Sequence, residues 1–235
     1  GVQTCALPIL KTMKYLLKNG TVVTGEKSEQ LDILVEGEKI VQVGKNLPSK
    51  DAQEIDVSGK LLFPGFIDGH THFDLEVAGT VTADDFETGT KAAILGGTTF
   101  VIDYASQDKG GHTLKEGLDK WHKKADDKCS CDYSFHMSIV EWNENTEQEI
   151  QDMIDHGITS FKLYMTYPAM IVNDCDMYII LKKTWKMWLF CRRTLRECRS
   201  DRCADRRSKK KREDLDRKII HWCVRTRWKR KQFTD

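Results

Sequence analysis

Residues 61–70 read LLFPGFIDGH, and three further apolar runs follow along the chain. They are TTFVIDYAS at 98–106, YSFHMSIVEW at 133–142 and ITSFKLYMTY at 158–167. Stretches with helical spacing separate these runs, at roughly 84–96, 113–127 and 146–156. Strands that alternate with helices predict a parallel sheet with helical connections. Four such units are half of a (β/α)8 barrel, in which catalytic residues lie at the carboxyl ends of the strands.

The segment 13–60, ahead of these units, has the pattern of a small antiparallel sheet. Two apolar runs flank Asn19-Gly20, a pair typical of tight hairpin turns, and the same arrangement repeats around Glu36-Gly37. The residues predicted to face inward from the second hairpin are Ile33, Val35, Ile40 and Val43.

The last part of the chain differs in composition from the rest. Residues 185–235 contain nineteen Lys and Arg but only seven Asp and Glu, a net charge of +12, whereas the other 184 residues have a net charge of −11. The same segment contains four of the six Trp and none of the sixteen Gly. The overall charge of +1 therefore conceals two differently composed pieces that meet at about Thr184.

The first residues of the chain do not read as part of the fold. They begin GVQTCALPI, which resembles the translation of a common sequencing-library adapter, and a natural start follows at Met13. Residues 1–12 are therefore predicted to be foreign to the protein. The sequence has no apolar run of about 18 residues and no secretory-signal pattern, so we expect a cytoplasmic protein with reduced thiols.

The clearest chemical motif closes the first of the four apolar strands. In GFIDGHTHFD (65–74) the strand ends in His-Thr-His at 70–72. Residues two apart on a strand point to the same side, so His70 and His72 can bind one metal ion from a single strand end. The alternative is two surface histidines at a strand–loop junction. The position at the end of an apolar strand, after Pro64-Gly65, favours metal ligands.

Lys162 lies inside the fourth apolar run, in SFKLYMTY (160–167). A buried ammonium is costly, so this side chain must reach solvent, pair with a carboxylate or change chemically. Desolvation lowers the pKa of a lysine, and the neutral amine can react with CO2 to give a carbamate, an anionic oxygen ligand able to bridge two metals. Together with the two histidines, the carbamate (N6-carboxylysine) is favoured over a lysine that extends to solvent.

These residues resemble the dihydropyrimidinase/D-hydantoinase branch of the amidohydrolase superfamily. The similarity runs from Met13 to about Thr184 and is carried by GFIDGHTHFD, GTVTADDFETGTKAAILGGTTFVIDYA (79–105), GHTLKEGLDKWHKKADDK (111–128), DYSFHMSIVEW (132–142) and SFKLYMTY. The block at 79–105 is typical of this branch in particular. The resemblance implies an α/β fold, with part of a small β-sandwich at 13–60 and the first half of a metal-dependent (β/α)8 TIM barrel at 61–184.

For the site, the resemblance implies two zinc ions or other divalent metals, a bridging hydroxide and a carboxylated lysine. His70 and His72 match the ligands of one metal, and Lys162 matches the bridging carbamate. Tyr167 matches the tyrosine that polarises the substrate oxygen, and the loop 73–85 matches a gate over the substrate pocket. The implied reaction opens a cyclic amide, for example 5,6-dihydrouracil to N-carbamoyl-β-alanine.

Two acidic residues, Asp103 and Glu141, end the second and third predicted strands. There they are candidates to orient the histidines through hydrogen bonds, with simple solvation as the equal alternative. His136 lies in an apolar strand and is expected to be structural. The implied partner is a small cyclic ureide or imide, with neither a membrane nor a nucleic acid expected. The family is typically homotetrameric, an assembly not expected of half a barrel.

In the family, two further histidines and an aspartate beyond the fourth strand complete the site, and residues 185–235 contain no matching motif. One interpretation of this segment is an arm for nucleic acid, because clustered Lys and Arg with interleaved Trp suit phosphates and bases. The other is a shifted reading frame. Back-translation of 193–210, read one nucleotide later, permits VHCENAEVIDALIAEAKK, which resembles the next block of the family and contains its third histidine. We favour the frameshift.

Two functions from different classes follow from these patterns. The first is a cyclic-amide hydrolase by ancestry, with this chain itself inactive because three ligands cannot complete a two-metal site. The second is a non-catalytic scaffold or binding protein of the same fold. Such relatives have lost metal ligands, whereas His70, His72 and Lys162 are all present here, which favours the hydrolase.

Overall fold

The computed structural model describes residues 13–48, 50–77, 79–143, 145–186 and 190–194. Two segments singled out from the sequence, the leader 1–12 and the basic segment from residue 195 onward, lie outside the described residues.

The described residues form two main sheets, a short hairpin and four helices. The first sheet contains β1 (Lys14–Val23), β2 (Ser28–Glu36), β3 (Lys39–Gly44), β4 (Gln53–Asp56) and β5 (Leu61–Leu62). The second contains β6 (Phe66–Asp68), β9 (Thr98–Ser106), β10 (Asp132–Ser138), β11 (Ser160–Tyr164) and β12 (Phe190–Thr194). The hairpin is β7 (Glu76–Val77) with β8 (Thr80–Val81). The helices are α1 (Phe86–Leu95), α2 (Leu114–Ala125), α3 (Thr146–Asp155) and α4 (Asp174–Lys186).

The first sheet is mixed. Its strand order is β3-β2-β1-β4, with β5 also beside β1. The pairs β1–β2 and β2–β3 are antiparallel, whereas β4 and β5 run parallel to β1. The prediction of an antiparallel sheet at 13–60 is therefore wrong for β4. The reason is the connection after β3, which carries the chain across the sheet to the far side of β1 instead of turning back on its neighbour.

No hairpin forms at Asn19-Gly20. β1 continues through this pair, and its register with β2 shifts between Leu17 and Gly20, which is a β-bulge. Asn19 adopts the left-handed φ of 64° that the pair predicts, but its backbone N–H donates to the carboxylate of Asp32 at 3.0 Å instead of closing a turn. The second predicted hairpin, at Glu36-Gly37, is confirmed.

The prediction of inward-facing residues holds for Ile33 on β2, is met only in part by the half-buried Val35, and fails for β3. Ile33 is buried, but Ile40 and Val43 are 64% and 49% exposed. These two residues lie on β3, which is an edge strand of the sheet. Within the described part of the chain, no second layer covers them, so the apolar pattern of β3 is present without the packing that it predicts.

The predicted strand 61–70 is divided by Pro64-Gly65. Leu61–Leu62 pairs with β1 in the first sheet, and Phe66–Asp68 pairs with β9 in the second. Proline lacks the N–H that a ladder needs, and a side chain on Gly65 would come within 2.0 Å of Oγ1 of Thr99. The chain therefore passes from one sheet to the other at this dipeptide.

The second sheet is parallel throughout, with strand order β12-β11-β10-β9-β6. The predicted strand 98–106 is confirmed to the residue, and the strands at 132–138 and 160–164 are shorter than predicted because their last residues enter loops. The three predicted helices are confirmed within two residues at each end, whereas α4 was missed. β12 lies within the segment attributed to a shifted frame, where it adds a fifth parallel strand beside β11.

Side chains that begin the helices fix where each strand–helix loop ends. Asp85 caps α1 by accepting a hydrogen bond from the backbone N–H of Thr88 at 2.8 Å, and the Thr88 hydroxyl accepts in return from Asp85 N–H. Thr113 and Glu116 form the same reciprocal box at the start of α2. Helices α1 and α2 are therefore anchored at their amino ends, which face the same edge of the sheet as the carboxyl ends of the strands.

The core lies between the second sheet and the helices. Its fully buried side chains come from both layers and include Phe86, Leu114, Leu118, Met137, Ile150, Met153, Phe161, Leu163 and Ile180. Among the described helices, none is long and apolar enough to span a membrane.

Candidate metal centre

His70 and His72 lie directly after β6, at the carboxyl end of the parallel sheet. Their Nε2 atoms are 3.1 Å apart, and the two rings are almost perpendicular. Two nitrogen ligands of one tetrahedral zinc ion, each about 2.05 Å from the metal, are themselves about 3.3 Å apart. The spacing of the two histidines therefore fits a shared metal ion.

Lys162 is buried in the neighbouring part of the same sheet. It lies on β11 in register with Ser138 of β10, and only 5% of the residue is exposed. Its Nζ lies 4.1 Å from the ring centre of Tyr104 and 4.8 Å from that of Tyr164. The lysine therefore does not extend to solvent, which was one of the three outcomes left open by the sequence.

The electrostatics of His72 suit a metal ligand. Burial lowers the pKa of His72, and the positive charge of Lys162 lowers it further. A depressed pKa keeps the imidazole neutral, which is the form that binds metals. Among the described residues, no three His, Cys, Asp or Glu side chains converge on a common point. The Nε2 atoms of His70 and His72 are thus the two groups placed to hold a divalent metal, with Lys162 buried at the same end of the sheet.

Tyr104 occupies the centre of this site and was not foreseen from the sequence. It is 2% exposed, and its ring centre lies 4.8, 5.0 and 4.7 Å from those of His70, His72 and His136. Its hydroxyl oxygen lies 3.2 Å from Nδ1 of His70. The signal that finds it is register: Tyr104 pairs with His136, two residues before Ser138, which pairs with Lys162, so all share one face.

His136 makes its contacts with the scaffold. Its Nε2 lies 3.1 Å from the carbonyl oxygen of Gly69, and its Nδ1 contacts the hydroxyl of Ser160. These contacts agree with the structural role expected from the sequence. They also join β10 to the residue that precedes His70.

Asp103 supports the histidines through the backbone. It is 1% exposed, and its carboxylate accepts hydrogen bonds from Oγ1 of Thr71 at 2.9 Å, the N–H of Phe73 at 2.8 Å and the N–H of Tyr104 at 2.7 Å. Burial raises the pKa of Asp103, and these hydrogen bonds partly oppose that effect. The carboxylate thus fixes the residues on both sides of His72, where the sequence had suggested contact with a ring.

Replacement of Asp103 by asparagine should therefore destabilise the loop that carries the histidines. The two carboxylate oxygens accept from donors on both sides, and an amide can offer oxygen on only one of them. At least one buried donor loses its acceptor, and we expect unfolding by urea to show a loss of about 1–3 kcal/mol. Asp68→Asn, at an exposed position whose carboxylate also accepts a backbone N–H, is the control. Equal stabilities would contradict this role.

Glu141 holds a different loop. Its carboxylate accepts from the N–H groups of Gly110 and Gly111 at 2.9 and 3.0 Å, and these bonds lower the pKa of Glu141. In the same loop, Nζ of Lys109 donates to the carbonyl oxygens of Pro168 and Ile171 at 3.3 and 3.2 Å. Glu141 therefore stabilises the β9–α2 loop. That loop in turn contacts the turn that follows Tyr167.

Tyr167 lies three residues beyond the end of β11 and is 45% exposed. Its backbone adopts a left-handed φ of 69°, and its ring centre is 6.3 Å from that of Tyr164, which itself flanks Lys162. Tyr167 therefore lies at the same end of the sheet as the lysine, with its side chain accessible. The proposed gate, 73–85, contains the hairpin β7–β8, whose four strand residues are all exposed.

Comparison with known proteins agrees with this architecture. A model of the amidohydrolase family matches residues 61–226. A dihydropyrimidinase from Dictyostelium discoideum is 43% identical over 180 residues, which are 75% of this chain and 36% of that protein. A D-hydantoinase from Geobacillus stearothermophilus is 46% identical over 163 residues, which are 69% of this chain and 34% of that protein. The chain thus spans about a third of the length of these relatives.

Solved structures show the same similarity. The crystal structure of dihydropyrimidinase from Brevibacillus agri NCHU1002 superposes with a TM-score of 0.75 at 39% identity, covering 77% of this chain and 40% of that one. The predicted combination of a β-sandwich portion with the first half of a (β/α)8 barrel is confirmed by this match.

Proposed function

Because the chain belongs to the amidohydrolase family, we propose that it is the metal-binding amino-terminal part of a hydrolase that opens cyclic amides. The observation that carries the proposal is the 3.1 Å approach of the His70 and His72 Nε2 atoms, at the same sheet end as the buried Lys162. The family is generally metal-dependent, and the relatives described above are named dihydropyrimidinase and D-hydantoinase. The substrate is accordingly a small cyclic ureide, such as dihydrouracil or hydantoin.

On this proposal, some residues of the chain bind metal and another contacts the substrate. His70 and His72 would hold one divalent metal, for which zinc suits two imidazoles. Two metals bound at the completed site would acidify a water molecule and polarise a ring carbonyl. The accessible hydroxyl of Tyr167 would donate a hydrogen bond to the same carbonyl oxygen as it gains negative charge.

Lys162 would enter the site as its carbamate. Its buried amine, once neutral, attacks CO2; an N–C bond forms, one C–O π bond becomes a carboxylate oxygen, and the nitrogen releases one proton. The product is an anionic oxygen ligand in a position where an ammonium is costly. The neighbouring tyrosine rings, at 4.1 and 4.8 Å, exclude water from the amine.

We further propose a cytoplasmic enzyme, in keeping with the free thiols of Cys129, Cys131 and Cys175. The segment 185–235 is proposed to be read in a shifted frame, so that this chain alone is inactive and does not form the tetramer of its family. Sequencing the gene and its transcript across codons 184–194 tests the shift. A continuous frame in independent clones would contradict it.

The activity is tested by restoring the missing part of the barrel. Residues 13–184 are joined to the remaining carboxyl-terminal part of the G. stearothermophilus D-hydantoinase, which is 46% identical in the matched region. We expect the chimaera to hydrolyse hydantoin or dihydrouracil, to lose activity with a chelator and to recover it with zinc and bicarbonate. The parent hydantoinase is the positive control, and the chimaera with His70→Asn and His72→Asn is the matched negative control.

Two results would contradict the proposal that the chain is part of a metal-dependent hydrolase. A folded chimaera that binds zinc but hydrolyses neither hydantoin nor dihydrouracil would favour the non-catalytic scaffold. A folded chimaera whose zinc content is unchanged by the two histidine substitutions would remove the metal assignment itself.

A further inference from the structure

The polar atoms of three side chains form a line of contacts at the candidate metal centre. The hydroxyl oxygen of Tyr104 lies 3.2 Å from Nδ1 of His70, and Nε2 of His70 lies 3.1 Å from Nε2 of His72. At the far end, Nδ1 of His72 is buried and has no hydrogen-bond partner among the described residues. This line of contacts therefore runs from the phenol of Tyr104 to the unpartnered Nδ1 of His72.

The direction of one hydrogen bond in this line fixes the next, because a neutral imidazole has one N–H and one lone pair. If Tyr104 donated to Nδ1 of His70, the proton of His70 would lie on Nε2 and point at His72. His72 would then carry its own proton on Nδ1, as a buried donor without an acceptor. Orphaned buried N–H groups are the rarer defect, so this direction is disfavoured.

The opposite direction gives Nδ1 of His72 an unpaired acceptor in place of an unpaired donor, and it directs the hydroxyl proton of Tyr104 away from His70. In the metal-free chain, His70 then donates from Nδ1 to the oxygen of Tyr104, and His72 donates from Nε2 to the bare Nε2 of His70. The unpartnered Nδ1 of His72 is then a lone pair, which is the less costly group to bury without a partner. A metal bound at both Nε2 atoms would require the proton of His72 to move to its Nδ1.

We propose that Tyr104 is a positioning residue for the metal ligand His70, accepting a hydrogen bond from its Nδ1–H and leaving Nε2 unprotonated toward the metal position. The inference rests on the proposed function, since that function assigns a metal to His70 and His72. Ligand histidines generally donate their second N–H to an oxygen that fixes ring and tautomer. A phenol supplies that oxygen here, while the carboxylate of Asp103 accepts from Thr71 and two backbone N–H groups.

The surroundings of Tyr104 make it a rigid acceptor. The residue is 2% exposed, and Nζ of Lys162 lies 4.1 Å from its ring centre. Three imidazole rings pack around it at 4.7–5.0 Å. The hydroxyl therefore cannot move away from His70 without displacing the other members of the site. Tyr104→Phe removes the oxygen and keeps this packing.

The first test measures the tautomers of the histidines in the full metal-free chain, labelled with 15N-histidine, at about pH 8 where imidazoles are neutral. His70→Gln identifies the signals of His70. We expect the proton of His70 on Nδ1 in the wild-type chain and a shift toward Nε2 in Tyr104→Phe. Tyr133→Phe is the control, because Tyr133 is a partly buried tyrosine whose hydroxyl bonds to Asp126 and lies 3.4 Å from Nδ1 of His122, away from His70.

His136 provides an internal reference in the same spectra. Its Nε2 faces the carbonyl oxygen of Gly69 at 3.1 Å, and a carbonyl can only accept. His136 is therefore expected to carry its proton on Nε2 in every variant, the reverse of His70.

The second test is a zinc titration of the same four chains. Loss of a hydrogen-bond partner of a ligand histidine weakens metal binding by about 10- to 100-fold, and we expect that loss for Tyr104→Phe but not for Tyr133→Phe. Wild-type His70 with its proton on Nε2 would overturn the inference, and this result needs no variant to fold. Unchanged zinc affinity in a folded Tyr104→Phe chain would also overturn it.

The two proposals fail in different ways. If zinc binds through His70 and His72 while Tyr104→Phe alters neither tautomer nor affinity, the positioning role is wrong and the proposed function stands. If the tautomer of His70 changes in Tyr104→Phe while the zinc affinity is the same in His70→Gln as in wild type, the hydrogen bond stands and the metal assignment is wrong.

Discussion

If the proposed function holds, replacement of Lys162 by methionine in the chimaeric enzyme is expected to lower the rate of ring opening by more than about 10³-fold, since the proposed carbamate ligand would be lost. Methionine has nearly the length of lysine, so it fills the space between Tyr104 and Tyr164. It has no amine to react with CO2. The substitution therefore removes the chemistry of the side chain and keeps its volume. Steady-state hydrolysis of hydantoin and the zinc content of the purified protein measure the effect.

The thermal stability of Lys162→Met, unlike its activity, is expected to stay the same or to rise. Lys162 is 5% exposed, and an apolar side chain of similar volume avoids the cost of burying an amine. We therefore expect thermal unfolding of the metal-free variant at the wild-type temperature or above it. Lys115→Met, at an exposed lysine paired with Asp119 on α2, is the control and should change neither property. Retention of activity within about tenfold of wild type in Lys162→Met would remove the lysine from the site.

Replacement of Phe86 by alanine should cost about 3–5 kcal/mol of unfolding free energy, a large share of the 5–15 kcal/mol of a typical domain. Phe86 is the first residue of α1 and has no exposed surface. Its ring centre lies 5.6 Å from that of Phe73, 6.5 Å from Tyr133 and 6.2 Å from Phe135. The cavity therefore opens where the loop after the histidines meets the sheet.

Urea unfolding of the full chain, followed by circular dichroism, measures this loss. Phe63→Ala is the matched control, because Phe63 is 51% exposed and its removal leaves no enclosed cavity. We expect the control to cost less than about 1 kcal/mol. Equal costs for the two substitutions would show that Phe86 does not pack in the core of the chain in solution.

The parts of the fold predicted from sequence are those with a local cause. The strand at 98–106 and helices α1 to α3 follow from apolar periodicity together with capping residues such as Asp85 and Thr113. The errors arise where contacts with a distant segment determine the local conformation. Asn19-Gly20 has the residues of a turn, but Asp32 offers its carboxylate to Asn19, and the pair becomes a bulge.

The residues of the site also fall into those with a local sequence signal and those that depend on distant contacts. His70 and His72 are two apart on one strand end, and Lys162 is an isolated charge in an apolar run, so each is visible in a short stretch of sequence. Tyr104 has no such signal. Its importance comes from its position opposite His136, and the register of two strands depends on how the intervening helix packs. Asp103 was recognised as important, but the partners of its carboxylate depend on the path of the loop after His70.

The strand at one end of the parallel sheet has a consequence for handling the isolated chain in solution. Among the described residues, β6 pairs with β9 alone, and Phe66 and Ile67 are 54% and 69% exposed. Leu95, at the end of α1, is 89% exposed. An exposed apolar strand at the edge of a sheet is a template for strand addition by another copy. We therefore expect the soluble fraction of the refolded chain to fall as its concentration rises.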